Sequence, residues 1–114
     1  MSDCIFCRIA RHEIPATVVH EDPECIAFRD LQPRSPVHVL IIPKRHIASV
    51  NELAAGDEAL AGHLLAAARD IARAEGVDES GYRLVLNAGP DAGQSVDHLH
   101  LHLLAGRELH WPPG

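Results

Sequence analysis

Residues 97–104 read DHLHLHLL. Leucine and histidine alternate with a period of two, which is the period of a β-strand and not of a helix. In a strand, His98, His100 and His102 share one face and Leu99, Leu101 and Leu103 the other, with successive histidines about 6.5–7 Å apart. The leucine face belongs in a core. A strand face turned to water is ordinarily filled with Thr, Lys, Glu or Arg, so three imidazoles in a row point to chemistry. Two chemistries use them. Imidazole is the commonest metal ligand; it is also neutral near pH 7 and can attack phosphorus through one ring while a second ring donates to the phosphate oxygens.

The stretch just before the strand bears on that choice. Residues 92–96 read AGQSV, overlapping the end of the glycine-rich loop NAGPDAGQS. Gly93 lets a backbone come close to a ligand, Ser95 offers a hydroxyl, and Gln94 to Val96 supply backbone N–H groups of the kind that bind anions. A glycine loop alone is weak evidence. One that runs directly into alternating histidines is far more specific.

Working outward, Thr17–His20 and Cys25–Phe28 read as a hairpin around the turn EDPE. PRSP at 33–36 is a loop held by two prolines, and VHVLII at 37–42 is the most apolar strand, ended by Pro43. Ser49 and Glu52 fit a capping box over a short helical turn. Asp57 can cap one long helix reaching about Glu75, with Leu60, Leu64, Ala68 and Ile71 on one stripe and Gly76 at its end. Tyr82–Leu86 and Leu99–Leu104 are the remaining strands. The order β-β-β-α-β-β with a single long helix predicts an α+β domain: a five-stranded antiparallel sheet with that helix on one face.

The chain of 114 residues is the size of one domain, 1–114, with a modest core. Aromatics are scarce, so the core is aliphatic. A net charge of −6 disfavours a nucleic-acid backbone as partner but not a mononucleotide. The sequence contains no apolar run of membrane-spanning length, and MSDCIFCRIA lacks the features of a signal peptide, so a cytoplasmic protein is expected. Cys4, Cys7 and Cys25 are an odd set and do not suggest a disulfide framework. A thioredoxin-like Cys-x-x-Cys follows a strand, and only three residues precede Cys4. The pair Cys4 and Cys7 supplies two of the four ligands of a structural zinc, and two more must come from elsewhere. Cys25 reads as a buried strand residue; His12, His20 and His63 read as surface residues.

HLHLHLL at 98–104 is similar to the His-x-His-x-His-x-x signature of the histidine triad (HIT) nucleotide hydrolases and transferases. The resemblance extends over IPATVVHEDPECIAFRDLQPRSPVHVLIIPKRHI, GYRLVLNAG and AGQSV. The ending GRELHWPPG resembles the Hint branch, the purine nucleoside phosphoramidases.

This resemblance implies a role for each residue. His100 would be the nucleophile on the α-phosphorus, His102 a donor to phosphate oxygens, and Ser95 a donor to the leaving nitrogen. His38 would belong to the same cluster and orient its neighbours. Asn87, Gly93 and the Val96 N–H would complete the phosphate cradle. Asp30 would accept the ribose hydroxyls, and Ile5, Phe6, Ile9, Phe28 and Leu31 would wall the base. Prokaryotic HIT proteins and the related galactose-1-phosphate uridylyltransferases imply a structural zinc on Cys4, Cys7, His46 and His98, with no catalytic metal. The Hint branch implies a homodimer with a continuous ten-stranded sheet, in which Trp111 contacts the interface and substrate.

Other functions fit the same residues. Within the superfamily these are dinucleoside polyphosphate hydrolysis and nucleotidyl transfer. Outside it are a zinc hydrolase centred on His98, His100 and His102, and a non-catalytic nucleotide-binding or scaffolding module. One metal on three ligands along a straight strand is a poor fit, because the outer pair would lie about 13–14 Å apart.

Overall fold

The computed structural model describes residues 4–114; Met1, Ser2 and Asp3 of the expected 1–114 domain lie outside the described residues. The elements are α1 (Ile5–Ala10), β1 (Val18–Glu21), β2 (Cys25–Arg29), β3 (Val37–Pro43), α2 (Glu58–Ala74), β4 (Tyr82–Leu86) and β5 (Leu101–Ala105). Single 3-10 turns stand at Val50–Glu52, Ala55–Asp57 and Pro90–Ala92. The five strands form one sheet in the order β1-β2-β3-β5-β4, and every pairing is antiparallel. The α+β architecture expected from the element order is therefore the one observed. No described helix is long and apolar enough to cross a membrane.

The central strands β2 and β3 are buried on both faces. Val39, Ile41, Leu99, Leu101 and Leu103 point toward α2, where they meet Leu64, Ala68 and Ile71. Ile26, Phe28, Leu40 and Ile42 point the other way and meet Phe6 and Ile9 of α1. This explains why β3 is continuously apolar from Val39 to Ile42 rather than alternating. Burial of each such aliphatic side chain contributes about 1.5–3 kcal/mol. The α2 stripe seen in the sequence is the buried one. The helix ends in a paired motif, with Gly76 N–H donating to Arg73 O and Val77 N–H to Ala72 O.

Local details depart from expectation. The last strand starts at Leu101, not Leu99, because Leu99 N–H donates to Ile47 O at 2.6 Å in place of a ladder partner. The alternation of faces nevertheless continues through His98. Ser49 caps its turn by accepting from Asn51 N at 3.1 Å; in a single 3-10 turn the hydroxyl meets the second N–H rather than the third. Asp57 stands before α2, but its carboxylate turns back to Ala54 N at 2.9 Å and pairs with Arg45. At the β1–β2 turn, Asp22 accepts from the Glu24 and Cys25 backbone N–H groups at 2.8 and 2.9 Å and from His20 and His63, each at 2.8 Å. The two histidines read as surface residues thus brace a hairpin. Cys25 is fully buried beside it, and burial pushes its thiol up to about 12.

Candidate active site and metal centre

The sheet register puts Phe28, Leu40, His102 and Val85 in one row, with Phe28 paired to Leu40, Leu40 to His102 and His102 to Val85. His100 precedes His102 on the same face, and their ring centroids are 5.0 Å apart. Phe6 of α1 meets the His100 ring edge-on at 5.2 Å.

The hydrogen bonds determine which nitrogen of each ring carries its proton. His100 Nδ1 lies 2.7 Å from the His98 carbonyl, which can only accept. The proton is therefore on Nδ1 and the lone pair is on Nε2. His98 Nε2 lies 2.8 Å from Pro43 O and must donate, which leaves a lone pair on Nδ1. His38 Nδ1 accepts from Arg34 N–H at 3.0 Å, so its proton is on Nε2, which faces His102 Nδ1 at 3.0 Å. His102 in turn accepts at Nδ1 and carries its proton on Nε2. That Nε2 is buried and has no protein partner among the described residues. A buried donor without an acceptor costs about 1–3 kcal/mol, so a ligand atom that accepts from it recovers the loss.

Burial also keeps His38, His98 and His102 neutral. Desolvation lowers the pKa of His38 and, with the adjacent His100 and His38, brings His102 to about 4. His98 is lowered as well, first by burial. The tautomers of these three rings therefore persist at neutral pH.

His100 and His102 open onto a cleft of about 240 Å³. Ile5, Phe6, Ile9, Phe28 and Leu31 line it together with Asp30 and Ser95, so the expected base wall and these polar residues come together. Asp30 Oδ1 accepts from Gln32 N–H at 2.8 Å, and its Oδ2 lies 3.4 Å from His38 Nε2. Leu40, Ile14, Pro15 and Ala16 also line the cleft and were missed. Leu40 was legible as the strand position on the histidine face; the 14–16 segment carries no local signal.

The loop before the histidines is built differently from expectation. Gly93 has φ +77, a left-handed conformation, and a Cβ there would meet nothing within 4 Å. Its glycine serves the turn, and its N–H donates to Pro90 O. Gln94 is occupied too: its N–H donates to Gly89 O, its Oε1 accepts from Gly89 N–H, and its Nε2 donates to Ala48 O and Val96 O. The N–H groups of Ser95 and Val96 have no acceptor among the described residues. Asn87 and Trp111 do not line the cleft, and Trp111 is 81 % exposed.

A second cluster lies behind the first. Cys4, Cys7, His46 and His98 hold their ligand atoms within 4.8 Å of one another. Cys4 Sγ is 3.3 Å and Cys7 Sγ 3.5 Å from His98 Nδ1, Cys7 Sγ is 3.3 Å from His46 Nδ1, and the two Nδ1 atoms are 3.2 Å apart. A tetrahedron with Zn–S about 2.3 Å and Zn–N about 2.0–2.1 Å has edges of about 3.3–3.8 Å. The donors are two thiols and two imidazoles, and His98 has its outer-ring proton committed to Pro43 O, as a ligating histidine does. The residues present fit a zinc ion. The same geometry disfavours one catalytic metal on the three histidines of the 98–104 stretch, since His98 turns its lone pair to the cysteines and His102 turns its own to His38.

Comparison with known proteins agrees with the fold and the histidine pattern. The HIT domain model matches residues 11–109. The chain is 56 % identical to an uncharacterized HIT-like protein of Synechococcus elongatus over 112 residues, 98 % of this chain and 97 % of that one. A HIT family hydrolase from Legionella pneumophila superposes with a TM-score of 0.97 at 54 % identity, covering 98 % of this chain and 100 % of the other. A histidine triad nucleotide-binding protein from Candida albicans superposes with a TM-score of 0.83 at 34 % identity, covering 96 % and 83 % respectively. With the signature His98-x-His100-x-His102 set on β5 and its approach, this chain belongs to the HIT domain family.

Proposed function

We propose that the protein is a nucleotide hydrolase that cleaves the P–N bond of purine nucleoside 5′-phosphoramidates, releasing the nucleoside monophosphate and an amine. The observation that carries this reading is the pair of complementary nitrogens at the cleft: a lone pair on His100 Nε2 beside an unpartnered, buried N–H on His102. Nucleophile and anion donor are what phosphoryl transfer needs.

In the reaction His100 Nε2 attacks the α-phosphorus. The P–Nε2 bond forms, and the bond to the substrate nitrogen breaks with its electron pair leaving on nitrogen. Ser95, exposed at the rim of the cleft, donates a hydrogen bond to that nitrogen, which takes its proton from solvent water. The ring becomes cationic on bonding to phosphorus, and the His98 carbonyl 2.7 Å from Nδ1 stabilises the charge. His102 Nε2–H and the Ser95 and Val96 N–H groups donate to the phosphate oxygens. Water then attacks phosphorus: the P–O bond forms, the P–Nε2 bond breaks with its electron pair returning to His100, and the proton lost by the water goes to solvent, leaving the monophosphate. Asp30 accepts the ribose hydroxyls, and the apolar wall holds the purine.

Cys4, Cys7, His46 and His98 would hold zinc, which when bound supplies a structural cross-link between α1 and the residues before β5. The protein works as a homodimer in the cytoplasm, where Cys4 and Cys7 stay reduced. Edge strand β4 pairs across the two-fold axis, and Trp111 reaches toward the partner's cleft. The Candida albicans relative, a nucleotide-binding protein by name, supports the substrate class.

The test is incubation with adenosine 5′-phosphoramidate followed by intact mass and product analysis. A nucleotidyl adduct and a kcat/KM above that for diadenosine polyphosphates are expected. A higher kcat/KM on the polyphosphates overturns the substrate assignment, and binding without turnover assigns a non-catalytic module.

A further inference from the structure

We propose that Gly106 and Arg107, immediately beyond β5, clamp the 32–36 loop and so determine which nitrogen of His102 carries the proton offered to the substrate. The proposal rests on the reading in which His102 Nε2–H meets a phosphate oxygen; it makes Arg107 a positioning residue, not a catalytic one.

The path is continuous. The guanidinium of Arg107 donates to Arg34 O through Nη2 at 3.0 Å and Nε at 3.3 Å, while Nη1 donates to Glu108 O at 2.8 Å and holds the fork in place. The N–H of the same Arg34 donates to His38 Nδ1 at 3.0 Å. The acceptor and donor groups of Arg34 flank one Cα, so fixing the carbonyl restricts the direction of the N–H. Gly106 supports the same loop from below. It has φ +95, and a Cβ on it would stand 2.8 Å from Pro36 Cβ. Ser35 closes the turn by donating its hydroxyl to Val37 O at 2.6 Å.

The chemical consequence follows from His38 having two nitrogens and one proton when neutral. With Arg34 N–H in place, Nδ1 accepts and Nε2 donates to His102 Nδ1. Without it, only the Asp30 carboxylate, 3.4 Å from Nε2, still favours the proton at that end, and the His38 proton can move in part to Nδ1 with Nε2 becoming an acceptor. His102 would then meet it with a proton on Nδ1, and its Nε2 would lose the hydrogen that the cleft presents. Release of a surface guanidinium would thus remove a donor from the buried end of the chain of bonds.

The experiment uses the full chain with ¹⁵N-labelled histidine, reading the tautomer of each ring by long-range ¹H–¹⁵N correlation, alongside steady-state turnover of adenosine 5′-phosphoramidate. In the wild type, His38 and His102 should both be Nε2–H tautomers. In Arg107→Ala and Gly106→Ala both rings should move toward Nδ1–H. Turnover should fall roughly tenfold in kcat with KM little changed, a part of the 10²–10³ that loss of a whole donor costs. Arg107→Lys, which keeps one donor, should recover part of both signals. Unchanged tautomers in folded Arg107→Ala protein overturn the clamp, whatever the activity. If the tautomers shift as described but no form turns over the phosphoramidate, the clamp stands and the proposed activity fails.

Discussion

His38 Nε2 lies 3.0 Å from His102 Nδ1, and this contact between β3 and β5 orients a proton toward the cleft from a ring that burial keeps neutral. Both rings are diagonal neighbours on the sheet face opposite α2, so the backbone register itself sets their separation.

The contact has a pH signature. His102 is held at about 4, first by burial and then by the adjacent His100 and His38. The unfolded chain takes up this proton near 6.5. Between those values the unfolded state binds more protons, so stability rises with pH there. The contribution of the neutral ring is complete above about 6.5 and is lost as pH falls toward 4, to an extent on the order of 3 kcal/mol. Urea unfolding at pH 7 and pH 4.5 should show wild type losing more stability than His102→Gln. Equal losses in the two proteins contradict the assignment.

Replacement of His100 by Asn removes the nucleophile while leaving its neighbours in place. Turnover of the phosphoramidate should fall by several orders of magnitude, with folding, metal content and AMP binding retained. Rapid-quench intact mass should detect a nucleotidyl adduct on wild type. An adduct of equal amount on His100→Asn assigns the covalent step elsewhere.

The cluster of Cys4, Cys7, His46 and His98 should carry about one zinc per chain in protein purified without added metal, by elemental analysis. Cys4→Ser combined with Cys7→Ser should abolish that content and lower the melting temperature before it impairs chemistry, since α1 loses its tie to His98. His98→Ala should lose both metal and stability, in contrast to His100→Asn. Unchanged zinc in the double variant refutes the ligand set.

Asp30 offers the cleft a carboxylate already half engaged by Gln32 N–H. If it accepts ribose hydroxyls, wild type should discriminate against 2′-deoxy substrate by roughly 1.5–3 kcal/mol, as for hydrogen bonds to a charged group, and Asp30→Ala should treat both substrates alike. Ratios of kcat/KM in a two-by-two comparison check this. Equal discrimination with and without Asp30 removes it from sugar recognition.

Strand β4 ends the sheet, and Leu86 on it and Leu65 on α2 are 41 % and 51 % exposed. An uncovered edge with apolar neighbours favours self-pairing. Light scattering at micromolar concentration should give a dimer, and Leu65→Glu with Leu86→Glu should give monomer. A monomeric wild type excludes the ten-stranded sheet.

Much of this molecule is legible in local pattern. The two-residue period of DHLHLHLL orients leucines to the core and histidines away from it even where the ladder has not begun. The stripe of α2, the apolar run of β3 and the order of elements suffice for an antiparallel α+β sheet, because each depends on contacts within a few residues or on burial of a face. The resemblance of HLHLHLL to the histidine triad signature supplied the roles attached to those residues.

What the chain order does not encode is where hydrogen bonds go at long range. Leu99 N–H bonds Ile47 O and shortens β5; Gln94 spends its amide on the backbone of its own loop and of Ala48; Asp57 turns back to Ala54. The proton positions of His38, His98, His100 and His102 depend on Arg34 N–H and on the carbonyls of Pro43 and His98, groups that every residue type carries and that no motif marks. Residue types alone determined that imidazoles and thiols were available. Only tertiary packing, by choosing which backbone group meets which ring nitrogen, decided which imidazole offers a lone pair to the cleft, which offers a proton, and which turns its lone pair toward the cysteines.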